Sequence, residues 1–229
     1  MPKKPFQQLA YFLDKLRRLK NYVEFSEKNW EEKLASYNLS LTDDDLNLKS
    51  FGGERGHWSD LANEFPQYQR KACFLIIFSM LEDDLNQFCE AIRIELDLKI
   101  NLSDIAGRGI ERAKTYLSKV AQIEFPKQSA EWERIQRFRD LRNVLVHEAG
   151  YLDEEKAQHR RVKRFLEQND SGLSVEHHAR DHINFAPEFL RGVIGTLRKF
   201  HELLIEAIKK HSKVNLLVRS LPTASHADK

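Results

Sequence analysis

An all-α fold is what this chain predicts, on three observations. Apolar residues return at three- and four-residue steps through five long segments, the pattern of helices that each bury one face. Only nine glycines and six prolines interrupt 229 residues. A composition of 41% hydrophobic and 31% charged residues supplies both a core and a solvated surface, which argues against a disordered or fibrous chain. The length suits one generous domain, or a core carrying an elaboration, rather than two independent domains.

The first helix is predicted over 6–37, where Leu9, Phe12, Leu13, Leu16, Leu19 and Val23 keep the period. Residues 38–60 lose it and read as a loop with room for a short turn of helix. The glycines Gly52, Gly53 and Gly56 lack the Lys-Ser/Thr ending and the preceding strand of a phosphate-binding loop. Pro66 suits a first helical turn, and Phe74, Ile77, Phe78, Leu81, Leu85, Phe88 and Ile92 draw the strongest stripe of the chain, to about residue 98. A third helix, capped at Ser103 or Asp104, carries Ile110, Ala113, Tyr116, Leu117 and Val120 and stops before Pro126. The fourth begins near Ser129, carries Trp132, Ile135, Phe138, Leu141, Leu145 and Val146, and ends by Gly150.

Residues 153–167 are charged, with Val162, Phe165 and Leu166 as a small apolar face for a helix. Beyond the turn signal at 169–172, the stretches 173–175 and 183–185 are short strands of a predicted hairpin. Pro187 opens a last helix bearing Phe189, Val193, Leu197, Phe200, Leu204 and Ile208, and a frayed tail is expected after about residue 217.

A net charge of +2 makes the whole molecule no magnet for nucleic acid, so such a partner needs local patches. Cys73 and Cys89 are too few for a disulfide framework or a zinc site and read as buried small hydrophobes. The apolar run at 72–81 is too short to span a bilayer, and Met1-Pro2-Lys3-Lys4 leads into no secretory segment, so a cytoplasmic protein without a membrane partner is expected. No cofactor and no metal are expected. His178 and His182 are four apart, but no cysteine or carboxylate set completes a tetrahedral site.

The segment Asp140-Leu141-Arg142-Asn143-Val144-Leu145-Val146-His147 stands out because it fixes an arginine, an amide and a histidine inside an apolar helical pattern. With Ile135, Phe138, Leu145 and Val146 as the buried stripe, Arg142 falls within roughly 30° of its centre at about 100° per residue. A guanidinium cannot shed its charge, so burial there requires an anionic side chain or an anionic ligand. Metal-free cleavage of RNA needs a base for the 2′-hydroxyl, an acid for the leaving 5′-oxygen and a cation for the phosphoryl oxygens. Histidine suits the first two roles and arginine the third. Arg142 and His147 lie roughly 7.5 Å apart along a helix axis and about 140° apart around it. One phosphate is therefore reached by both only where the helix end unwinds or a second copy closes over it. Two protomers would offer two histidines and two arginines in one cleft.

At these residues the sequence resembles the HEPN family, all-helical domains marked by an arginine, commonly followed by a polar residue, and a histidine four to six residues on. Here that reads Arg142-Asn143-Val144-Leu145-Val146-His147, and 109–117, 125–126 and 132–150 also look like bacterial members. The resemblance covers about 72–150. It implies a four-helix up-down core, read here over 61–212; residues 1–60, an expected N-terminal helical extension, and 153–186, an expected helix and hairpin insertion before the last helix, depart from a minimal bundle of the family, and 213–229 are expected to form a flexible tail. It further implies a metal-independent endoribonuclease acting as a homodimer through the Arg142–His147 helix on RNA, in the manner of a toxin or phage-defence effector with an antitoxin or defence partner. Arg142 would bind phosphate, Asn143 orient, and His147 act as general acid and base. Some members add an acidic residue from the preceding core helix, for which Glu82 is placed ahead of Asp84. Arg134, Arg137 and Arg139 would track the RNA backbone. One toxin branch carries a tyrosine two residues after the histidine; here Ala149 stands there and Tyr151 comes two residues later, so the chain is not assigned to that branch.

Plainer readings stand beside these. Arg142 and His147 would serve as a buried ion pair or protomer contact with His147 at a helix C-terminus, in a non-catalytic HEPN module for protein or nucleotide binding. The arginines at 134–142 and the basic run at 159–164 would be solvated helix faces.

Overall fold

The structure, a computed structural model, describes residues 5–40, 54–153, 155–168, 172–177 and 180–211. It is predominantly helical. In chain order the elements are α1 (Pro5–Ser40), α2 (Glu54–Ser59), α3 (Phe65–Glu95), α4 (Gly109–Thr115), α5 (Ala130–Glu148), α6 (Ala157–Leu166), β1 (Leu173–His177), β2 (Asp181–Phe185) and α7 (Pro187–Lys210). The residues fall into two compact units. The first comprises Met1–Asp14, Met80–Glu133 and Leu197–Lys229, and the second Lys15–Ser79 and Arg134–Thr196, so α1, α3, α5 and α7 each supply residues to both.

Two helix starts differ from the expectation, for local reasons. Before Pro66 the chain is already helical: α2 runs into a wide turn at Asp60–Glu64 and then into α3. A proline ring clashes with the carbonyl four residues back in a regular α-helix, and an extra residue in the preceding turn gives that carbonyl room. The third helix starts at Gly109 rather than at Ser103 or Asp104. Asp104 instead closes a capping box on Asn101, whose backbone N–H donates to the Asp104 carboxylate at 2.8 Å, and the turn it caps spans only Leu102–Asp104. The glycines Gly52 and Gly53, the turn at 169–171, His178 and the tail lie outside the described residues.

In the first unit the buried residues include Leu9 and Phe12 of α1, Leu81, Leu85, Phe88 and Ile92 of α3, and Phe200, Leu204 and Ile208 of α7. Trp132 lies edge-on to Phe125 at 4.8 Å and 5.5 Å from Phe200, an aromatic knot at the start of α5. α4 ends in a wide turn, Tyr116–Val120; the Tyr116 ring is buried and its hydroxyl donates to the Ile100 carbonyl at 2.8 Å. Cys89 is buried here, and burial pushes its thiol up to about 12. Cys73, in the second unit, is buried and shifted upward for the same reason.

In the second unit Phe74 is the hub of a ring cluster, with Phe138 at 6.1 Å, Phe185 at 5.7 Å and Phe189 at 5.4 Å. Phe138 in turn meets Phe165 of α6 at 6.1 Å. The hairpin is antiparallel, with Leu173 opposite Phe185 and Val175 opposite Ile183, which turns Leu173, Ile183 and Phe185 into the core. Its strands are longer than the sequence suggested. Arg70 of α3 anchors it: the guanidinium forms a two-pronged pair with Glu27 at 2.8 and 2.6 Å and donates to the Phe185 carbonyl at 2.9 Å. Gln67 closes on the same residue in both directions, accepting from the Phe185 N–H at 2.8 Å and donating to its carbonyl at 2.9 Å. Among the described residues no helix is long and apolar enough to cross a membrane.

Candidate functional site

α5 begins as its sequence dictates. The Ser129 hydroxyl accepts the Trp132 N–H at 3.1 Å, and Glu131 and Glu133 place negative charge in the first turn. The helix ends through two left-handed residues, Ala149 with φ +53° and Gly150 with φ +88°. From there the chain is tied to β2: the Ile183 N–H donates to the Gly150 carbonyl at 3.1 Å and the Leu152 N–H to the Asp181 carbonyl at 2.9 Å. The hairpin thus fixes the exit of the helix that carries Arg142, Asn143 and His147.

The buried face of α5 differs from the expected stripe. Trp132, Ile135, Phe138, Leu141, Val144 and Leu145 are buried, whereas Val146 is 49% exposed. Replacing Val146 by Leu141 and Val144 turns the buried face away from Arg142. The arginine is half-buried on its flank, about 50° from the centre of the face these residues define. A flanking guanidinium keeps part of its hydration, which removes the demand for a fully buried partner. Its Nη1 donates to the Asn143 side-chain oxygen at 3.1 Å. His147 is exposed in the last turn of α5.

The buried ionic residue of the segment is Asp140, which the sequence reading passed over. Its carboxylate accepts from Arg161 Nε of α6 at 2.9 Å and lies 3.3 Å from Arg139 Nη2, while the Gln158 amide donates to its backbone carbonyl at 3.1 Å. Asp140 therefore docks α6 onto α5. The three arginines expected along an RNA track are already engaged. Arg134 lies 6.0 Å over the Phe138 ring, Arg137 lies 5.7 Å over Phe165 and bonds Gln168, and Arg139 pairs with Asp140. All three are half-buried.

Glu82 and Asp84 belong to the first unit. Glu82 is half-buried, and a Cβ on Gly109 would lie 2.5 Å from its Oε1, so the carboxylate packs where only glycine leaves space. Gly109 is also left-handed, with φ +53°. Asp84 is fully buried and fully engaged. It accepts from Gln8 Nε2 at 3.1 Å and meets His201 Nε2 at 2.9 Å. His201 Nδ1 donates to the Leu197 carbonyl at 2.9 Å, and Phe12 stacks on the ring at 4.1 Å. A carbonyl only accepts, so Nδ1 carries a hydrogen and one proton lies between Nε2 and the carboxylate. Asp84 is thus sealed in a structural couple.

A second cluster, which no motif announced, surrounds β2. Lys71 Nζ lies 3.1 Å from His182 Nε2, the Tyr151 ring stands 4.9 Å from the imidazole, and Arg180 lies 4.5 Å over Tyr151. Burial pulls the Lys71 amine down to about 8. Burial, then the Lys71 charge, lowers His182, against a hydrogen bond to the Ala149 backbone that favours its charged form. His159, buried in α6, accepts the Asp153 N–H at 2.9 Å on Nδ1 and is lowered chiefly by burial. The signal for the Lys71 cluster was a histidine in a strand and a lysine in the longest apolar stripe, and nothing local connects them. Among the described residues no group of three or more His, Cys, Asp and Glu side chains gathers to hold a metal ion. No family model, curated protein or solved structure matches this chain.

Proposed function

We propose that the chain is a HEPN-type endoribonuclease that cuts RNA without a metal, as a homodimer through α5. What carries the reading is Arg142 and Asn143 joined side by side on α5 with His147 exposed in its last turn. The exposure of Val146 beside His147 supports it further, because an apolar residue turned to solvent next to the catalytic candidate suits a protomer contact. In this mechanism His147 takes the proton of a ribose 2′-hydroxyl, and the oxygen attacks the adjacent phosphorus. Arg142, held by Asn143, stabilises the phosphoryl oxygens. His147 of the second copy gives a proton to the departing 5′-oxygen, leaving a 2′,3′-cyclic phosphate and a 5′-hydroxyl. Glu82 keeps a place only as a carboxylate to be tested, and Asp84 has none.

Incubation of the purified chain with single-stranded RNA in EDTA tests this. Cleavage with cyclic-phosphate ends is expected, falling about a hundredfold or more in His147→Ala. RNA left intact by the wild-type chain, or cut equally by His147→Ala, overturns the reading. Intact RNA together with an Arg142→Ala chain that loses self-association would favour a non-catalytic module.

A further inference from the structure

A lysine in contact with a histidine is an expensive pairing, since two bases compete for one proton and their charged forms repel. This chain has 35 acidic residues from which to draw a partner for Lys71. Yet among the described residues its hydrogen-bonding contact is His182 Nε2, at 3.1 Å. Glu64 and Glu176 act on it only through space. An ammonium only donates, so Nε2 of the neutral imidazole accepts from Lys71 and Nδ1 carries the ring's hydrogen. Both side chains are half-buried, and the neighbouring Tyr151 and Arg180 are exposed, so the pair has a path to solvent. Gly150 lies against the imidazole, where an added Cβ would stand 3.4 Å from His182 Nε2, in van der Waals contact.

We propose that Lys71 and His182 form a binding site for a phosphoryl-class oxyanion, which inserts between the two bases and leaves both protonated. His182 Nε2 then takes one proton from solvent and turns from acceptor to donor, while Lys71 redirects its N–H from the ring to the anion. Arg180 adds a third cation at the rim. The groups facing the pair are Glu64 from the wide turn, Tyr151 after α5, and Glu176 from β1. The two carboxylates oppose an anion, so occupancy grows as His182 becomes charged with falling pH. The inference rests on the ribonuclease reading only for RNA as a source of the phosphate.

Histidine-selective ¹⁵N labelling of the full chain reads His182 Nε2 directly. Inorganic phosphate at constant ionic strength is expected to raise its titration midpoint by about one pH unit or more, as an opposite charge in contact does. Lys71→Met is expected to abolish most of that response. An unchanged midpoint in phosphate, an equal rise in chloride, or a full response in Lys71→Met overturns the site; should Lys71→Met fail to fold, the wild-type comparison of phosphate with chloride decides alone. In a His147→Ala chain, a response to both inorganic phosphate and single-stranded RNA assigns an RNA phosphate, and a response to inorganic phosphate alone assigns the free ion. RNA cutting is scored separately on the wild-type chain. Absent cutting with an intact phosphate response rejects the ribonuclease and keeps the site, and cutting without the response rejects the site alone.

Discussion

Each unit of the molecule holds a histidine against a second titratable side chain, and the two couples are built on opposite terms. In the first unit, His201 meets a carboxylate, both groups are removed from solvent, and every polar atom of the pair has a partner in Gln8, Leu197 or the other member. In the second, His182 meets an amine, both remain half-exposed, and the contact brings like charges together whenever each holds its proton. The sealed couple satisfies its own valences and has nothing left to offer a ligand. The open couple pairs base with base while Glu64 and Glu176 act on it only through space, and two such donors in contact are what a site for an anion looks like before the anion arrives.

The contrast can be broken most sharply at Asp84. Asp84→Ala strands a buried imidazole nitrogen and leaves the Gln8 amide only its bond to Gln87, and a loss of about 3–5 kcal/mol is expected in urea unfolding; a cost under about 1 kcal/mol would deny the sealed couple its structural role. Gly150→Ala comes next. It forces a side chain into a left-handed backbone and to within 3.3 Å of Leu145 Cδ2. A loss of about 2 kcal/mol in the same assay is expected. Ala149→Gly should act in reverse, gaining about 1 kcal/mol by relieving an alanine at φ +53°.

The smallest effect is the most selective. Lys71 sits below its ordinary 10.5, at about 8, so between those values the unfolded chain holds a proton the folded chain has released, and stability rises with pH across that window. Lys71→Met should flatten the rise in thermal melts taken across it. His182 and His159 are both lowered from 6.5, so each loses stability as pH falls below 6.5 toward its folded value. His182→Asn should weaken that acid limb without removing the part due to His159.

The helices were legible because their period is a local property: Phe74 through Ile92, or Phe189 through Ile208, announces a buried face within one window of sequence. The hairpin was legible in outline for the same reason. Arg142, Asn143 and His147 could be placed on one helix, but the face of α5 was misjudged by including Val146. Which of two adjacent apolar residues is buried depends on α6 and the hairpin, far along the chain. Asp140 was missed because its role exists only once Arg161 of α6 arrives. Lys71 and His182 are 111 residues apart, and Asp84 and His201 are 117 apart, so neither couple leaves a trace in spacing. The wide turn before Pro66 had a signal in the proline itself, which marks a constraint on the preceding turn as well as a helix start.

Gln8, Asp84 and His201 also set an order of assembly. Their hydrogen bonds join residues 76 and 117 positions apart, so on the ribosome the Asp84 carboxylate emerges with Gln8 already made but waits for most of the remaining chain before its imidazole appears. Until α7 is synthesised, α3 must keep that carboxylate hydrated, and the apolar surface around Leu81, Leu85 and Phe88 cannot close. The final helix is therefore the step that commits the first unit to its core. Chains truncated before residue 201 should be captured by chaperones or proteases rather than persist as folded fragments.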